Sequence, residues 1–94
     1  MAISFTDRVK MPEEILISGV QGESVILNLN SERYLGLDEV GTRMFSVLTE
    51  SNSIQAAYET LLEEYDVEGE VLRRDLISII EQLVEQGVAE ITRE

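Results

Sequence analysis

The 94-residue sequence contains no cysteine, no histidine and no tryptophan, and only one proline. Without cysteine there is no disulfide scaffold, no thiolate metal site and no thiol nucleophile. Without histidine the commonest general base and the commonest metal ligand are missing. Cations are scarce as well: 7 Lys and Arg stand against 19 Asp and Glu, a formal net charge of −12. That deficit argues against general nucleic-acid binding, which neutralises phosphates with surplus cations. It argues equally against docking on an anionic membrane. Met1 to Lys10 lacks the apolar stretch of a signal peptide, and no apolar run approaches the roughly 20 residues of a membrane span. A cytoplasmic chain is expected.

What is present is 44 % hydrophobic residues, too many for a disordered acidic tail. A chain this short buries only about 60–65 % of its unfolded surface, so residues 1–94 are expected to form one domain. The class that survives is an ordered acidic binding module, without catalytic residues, cofactor or metal.

Two periodicities follow one another. From about residue 14 to 37 the chain favours strands. Ile15, Leu16 and Ile17 make a short apolar run, and Val20-Gln21-Gly22-Glu23 supplies hairpin chemistry. Ser24 to Leu29 alternates, with Val25, Leu27 and Leu29 on one face and Ser24, Ile26 and Asn28 on the other. That is the period of a half-buried strand. Arg33 to Leu37 reads as a third strand after the turn at Asn30-Ser31-Glu32. From Asp38, a plausible N-cap, the period becomes helical. Val40, Met44, Val47 and Leu48 form the first stripe, and Ile54, Ala57, Tyr58, Leu61, Leu62 and Tyr65 the second. A third helix spans about 70–86, with Leu72, Leu76, Ile79, Ile80 and Leu83 on its main face and Gly87 at its C-cap. Val88 to Ile91 is a possible terminal strand. The pattern predicts an α+β fold, a winged helix-turn-helix with a three-stranded antiparallel sheet followed by three helices.

Three candidate chemistries have local explanations. Asp66, Glu68 and Glu70 alternate as calcium ligands do, but Val71 and Ile77 stand where an EF-hand needs glycine and glutamate. Glu63-Glu64 and Glu13-Glu14 are paired carboxylates best read as solvated surface. Arg73-Arg74 opens the third helix, where a helix-turn-helix reads bases. Ion pairing with Glu70 or Glu81 is the more economical role. The sharper signal is strand 33–37. As the last strand of its meander it can have an open edge, able to template an extended peptide. Gly36 would let another backbone approach. Ile77 and Val84 form a second apolar stripe on the third helix, fit either for core packing or for a groove.

Taken in order, Val25-Ile26-Leu27-Asn28-Leu29-Asn30, Arg33-Tyr34-Leu35-Gly36-Leu37-Asp38, Gly41 and Phe45-Ser46-Val47-Leu48 resemble the PqqD-like family. Tyr58, Leu61-Leu62, Tyr65, Leu72, Asp75-Leu76, Ile79, Leu83 and Gly87-Val88 continue the resemblance, which spans about residues 12–92. Phe45 stands where members often carry Trp, and Val88 where they carry Trp or Leu. The resemblance implies a precursor-peptide recognition element for ribosomally made, post-translationally modified peptides. In such domains the leader adds as an antiparallel strand and lies against the third helix. Carried onto this chain, the peptide-binding residues are Arg33, Tyr34, Leu35, Gly36, Leu37, Arg73, Leu76, Ile77, Ile80 and Val84. The implied partners are a leader region and a leader peptidase or other modifying enzyme, with neither nucleic acid nor membrane. The Tyr34 to Asp38 run with Gly41 looks most like stand-alone members of lasso-peptide pathways. The alternatives are a PQQ-type precursor chaperone working with a radical enzyme, and a winged-helix transcriptional regulator. A monomer or weak homodimer is expected, since an open edge can also pair with a second copy.

Overall fold

A computed structural model describes residues 3–93. The elements run β1 (Arg8–Lys10), β2 (Ile15–Val20), β3 (Glu23–Asn28), β4 (Tyr34–Leu37), α1 (Glu39–Glu50), α2 (Ile54–Glu64), α3 (Gly69–Glu85) and β5 (Glu90–Thr92). The architecture is α+β, with β2, β3 and β4 forming an antiparallel sheet in that order beside three helices. A winged helix-turn-helix is compatible with it. The sequence reading lacked β1, which pairs with β5 in a separate two-stranded sheet, Val9 opposite Ile91. Three residues with one apolar member between two cations carry no readable period.

Local chemistry explains most boundaries. Gln21 and Gly22 both have positive φ, 53° and 85°, the signature of a two-residue type I′ hairpin turn. Asp38 caps α1, its Oδ1 accepting from the Gly41 amide at 2.8 Å. Ser53 caps α2 by accepting from the Ala56 amide at 3.1 Å. Gly87, at φ 72°, ends α3 in the left-handed conformation that a side chain would disfavour.

The core lies between the helices and the inner face of the sheet. Ile26, Leu48, Ile54, Leu61, Leu72, Leu76, Ile80, Leu83, Val9 and Val88 are fully enclosed. The N-terminal segment closes the far side. Its Phe5 and Asp7 carbonyls accept from the Gln55 and Ile54 amides, and Phe5 meets Tyr58 edge-on at 5.9 Å.

The buried face of β3 is the mixed one. Ser24 and Ile26 point inward, whereas Val25 and Leu29 are exposed. Ser24 is accommodated because its Oγ lies 2.7 Å from the Thr42 hydroxyl of α1. Asn28, also on the inner face, donates from Nδ2 to the Gly87 carbonyl at 2.7 Å. Its Oδ1 accepts from the Asn30 and Ser31 amides. One side chain thus joins the end of β3, the β3–β4 loop and the C-terminus of α3.

Candidate functional site

β4 is an edge strand, hydrogen-bonded to β3 alone among the described strands. Its register pairs Leu27 with Tyr34, Ile26 with Leu35, Val25 with Gly36 and Ser24 with Leu37. The Asn28 amide donates to the Arg33 carbonyl at 2.8 Å. Antiparallel ladders alternate between bonded and non-bonded pairs, so Arg33, Leu35 and Leu37 direct their backbone groups toward β3. Tyr34 and Gly36 therefore direct theirs outward. The free edge presents an N–H and a C=O from each.

Side chains alternate with these backbone groups. Leu35 and Leu37 point inward, Leu35 half-buried and Leu37 buried. Gly36 lies on the outer face, where an added Cβ would meet nothing within 4 Å.

α3 runs beside this edge in the opposite direction. At one end Arg33 Nη1 donates to the Glu85 carbonyl at 3.1 Å, placing a cation at the negative end of the helix dipole. At the other end a hollow of about 470 Å³ opens between Leu37, Val40, Met44 and the α3 residues Asp75, Ser78, Ile79 and Gln82. Leu37, Met44 and Ile79 make its apolar floor; Asp75, Ser78 and Gln82 form an exposed polar wall. Gly41 permits the close approach there, since a Cβ would stand 3.3 Å from Leu37 and 3.4 Å from Ile79.

The residues expected from the sequence divide accordingly. Arg33 to Leu37 lie together along the open edge. Leu76 and Ile80 are fully buried in the core behind the groove. Arg73, Ile77 and Val84 lie on the opposite flank of α3, since about 100° per residue places them roughly half a turn from Asp75 and Gln82. Ile77 and Val84 pack against the core cluster. The Arg73 guanidinium sits 4.0 Å from the Phe5 ring centroid, a cation–π contact. Among the described residues the ion pairs are Arg43–Glu64 and Arg93–Asp7, so Arg73 pairs with neither Glu70 nor Glu81. Asp75, Ser78 and Gln82 were missed because polar residues on a helix read as solvated surface. Their spacing of three and four placed them on one face, but nothing local said that a strand edge lies beside it.

Charge reinforces the groove's character. Asp38 and Asp75 line its wide end, within a chain of net charge −12. Arg43, held by Glu64 at 2.7 Å, has its pKa raised, chiefly by that side-chain hydrogen bond. It is thus committed elsewhere on the surface. Among the described residues no cluster of three or more potential metal ligands occurs, and no helix is long and apolar enough to cross a membrane.

Fold and site together define a small α+β domain with an unpaired strand edge over a helix-walled groove. The sequence profile of the family described as coenzyme PQQ synthesis protein D (PqqD) matches residues 23–89. The chain belongs to the PqqD family. Two solved structures share the fold. One, described as TbiB1 in complex with the TbiA(beta) leader peptide, is 28 % identical with a TM-score of 0.78, covering 86 % of this chain and 94 % of that one. The other, described as lasso peptide synthetase B1 complexed with the leader peptide, is 24 % identical with a TM-score of 0.77, covering 88 % and 98 %. No curated protein matches the sequence significantly.

Proposed function

We propose that this protein binds the leader segment of a ribosomally made precursor peptide and delivers it, without itself catalysing a reaction, to a leader peptidase or other modifying enzyme. The observation that carries this reading is the free edge of β4, with its groove against α3. It occurs in a fold shared with a 28 % identical protein solved with a leader peptide. The leader adds antiparallel to Tyr34–Leu37 and hydrogen-bonds the outward groups of Tyr34 and Gly36. Its inward side chains meet Leu35, Leu37, Met44 and Ile79, and its polar groups meet Asp75, Ser78 and Gln82. Leu76 and Ile80 support the groove from the core. Arg73, Ile77 and Val84 hold α3 against the rest of the domain from its other flank.

Main-chain bonds supply affinity with little sequence information, and the pockets supply specificity. The net charge of −12 draws in a lysine-rich leader and speeds capture. A short peptide ordering on such a groove gives a Kd of ~1 μM or somewhat tighter. A lasso-peptide pathway in the cytoplasm is the favoured setting. The family's description favours one second reading, a PQQ-type precursor chaperone working with a radical enzyme.

Fluorescence-polarisation titration tests both. Labelled leaders of the lasso type (Tyr-x-x-Pro core) and the PQQ type are titrated beside a DNA duplex. Saturable binding of one leader identifies the pathway. Flat leader curves with a saturating duplex would replace this reading with a transcriptional regulator.

A further inference from the structure

The solvent face of the β2–β3–β4 sheet is unusually apolar. Register aligns Leu16, Leu27 and Tyr34 in one cross-strand row. Leu16 is 53 % and Tyr34 66 % exposed. The adjacent row is Ser18, Val25 and Gly36. Its two outer members are small, so the row sinks into a hollow of about 480 Å³ floored by Val25 and Gly36. Val20, 68 % exposed, bounds the far side. Single exposed apolar residues need no explanation, but a contiguous face of them marks an interaction site.

Two further observations identify the occupant. First, the charged residues lining the hollow are Glu23 and Asp38, with no cation among them. A second copy of a −12 chain would bring like charge to that rim, and an anionic membrane would do the same. Second, the hollow and the groove share a wall. Gly36, Leu37 and Asp38 line both, one side of β4 facing each. A strand added to β4 would lengthen each of these rows by one more residue.

We infer that this outer face is a second docking surface, taken by a folded protein partner that inserts an apolar knob between Leu16, Val25 and Tyr34 and surrounds it with lysine and arginine. The inference rests on the proposed leader-binding role, which makes the enzyme that receives the leader the natural partner. A partner seated there touches the domain and the outward side chains of the bound leader together. It therefore binds the leader-loaded form more tightly, and by linkage tightens the leader in return. Selection for loaded carrier follows without any conformational change.

The probe is the purified leader peptidase of the same pathway, immobilised for interferometry with and without saturating leader. Leader affinity is measured separately by fluorescence polarisation without peptidase. Leu16→Ser combined with Val25→Thr is expected to weaken peptidase binding by about tenfold or more and to leave leader affinity unchanged. Leu16 lies on β2, two strands from the peptide edge, roughly 10 Å away. Leu16→Lys should weaken docking more than Leu16→Glu, because the expected ring is cationic. If the double variant loses its far-UV circular dichroism, these exposed single substitutions carry the test alone.

Peptidase binding that ignores all of these substitutions would overturn the inference, as would a wild-type chain that does not bind peptidase at all. So would a wild-type dimer, seen by sedimentation, that Leu16→Lys disperses, since a second copy would then own the face. A flat leader curve with substitution-sensitive peptidase binding would retire the leader reading and leave the docking surface standing.

Discussion

Proline at Gly36 and proline at Leu35 should have opposite consequences, although the residues are neighbours on one short strand. Leu35 lies in a bonded pair with Ile26, as the Asn28–Arg33 hydrogen bond at 2.8 Å fixes the alternation. Leu35→Pro would delete a ladder bond inside the sheet and press its ring against β3. A cost of about 3 kcal/mol or more to folding follows. Gly36 directs its N–H away from β3, and its φ is not positive. Proline is tolerated on an edge strand when its missing N–H faces solvent, so Gly36→Pro should fold. Its effect falls on the incoming strand. One of four edge groups is lost, worth about 0.5–1.5 kcal/mol net, and the ring occupies the place of the accepting carbonyl, removing a neighbouring bond as well. A loss of roughly 1.5–3 kcal/mol is about 10- to 150-fold in Kd. Gly36→Ala is the control, since it keeps the N–H and its Cβ meets nothing within 4 Å. Fluorescence polarisation with labelled leader reads the affinities, and circular dichroism establishes folding. A folded Gly36→Pro variant that binds leader like the wild type would refute strand addition at β4.

The two flanks of α3 give a second contrast. Ile79, 8 % exposed, and the partly buried Ile77 should both cost stability when changed to lysine, but only Ile79→Lys places its charge on the groove floor and should weaken leader binding by the folded fraction about tenfold or more. Asn28→Ala removes three hydrogen bonds at the junction of β3, the β3–β4 loop and α3. Urea denaturation should show a loss of about 1–3 kcal/mol, with weaker leader binding because α3 is no longer held at the start of β4. Gly87→Ala forces a side chain into φ 72° and should lose about 1 kcal/mol in the same assay, with leader affinity preserved.

Local chemistry made much of the fold legible. Asp38 and Ser53 announce helix starts because a short oxygen-bearing side chain satisfies free amides within its own turn. Gly87 announces a helix end, and Gln21-Gly22 a hairpin, because positive φ is a property of one or two residues. The stripes of α2 and α3 follow from a period read over several turns. Strand 33–37 is recognisable as the end of a meander, which is enough to suspect an open edge.

Tertiary structure decided the rest, since those choices depend on residues far apart in the chain. Alternation in β3 defines two faces without ranking them. The face of Val25, Leu27 and Leu29 is the more apolar, yet Ser24, Ile26 and Asn28 turn inward because Thr42 and the Gly87 carbonyl satisfy the two polar side chains. Helical period likewise gives α3 two flanks beside its core stripe. Only packing brings Asp75, Ser78, Ile79 and Gln82 to the β4 groove, while Phe5 of the N-terminal segment occupies the flank of Arg73. The sequence by itself determined the three helices, the β2–β3–β4 meander, the helix caps and the acidity of the surface, all properties of short segments or of composition. Which faces meet, and hence where a groove opens, was decided by contacts between residues as distant as Asn28 and Gly87.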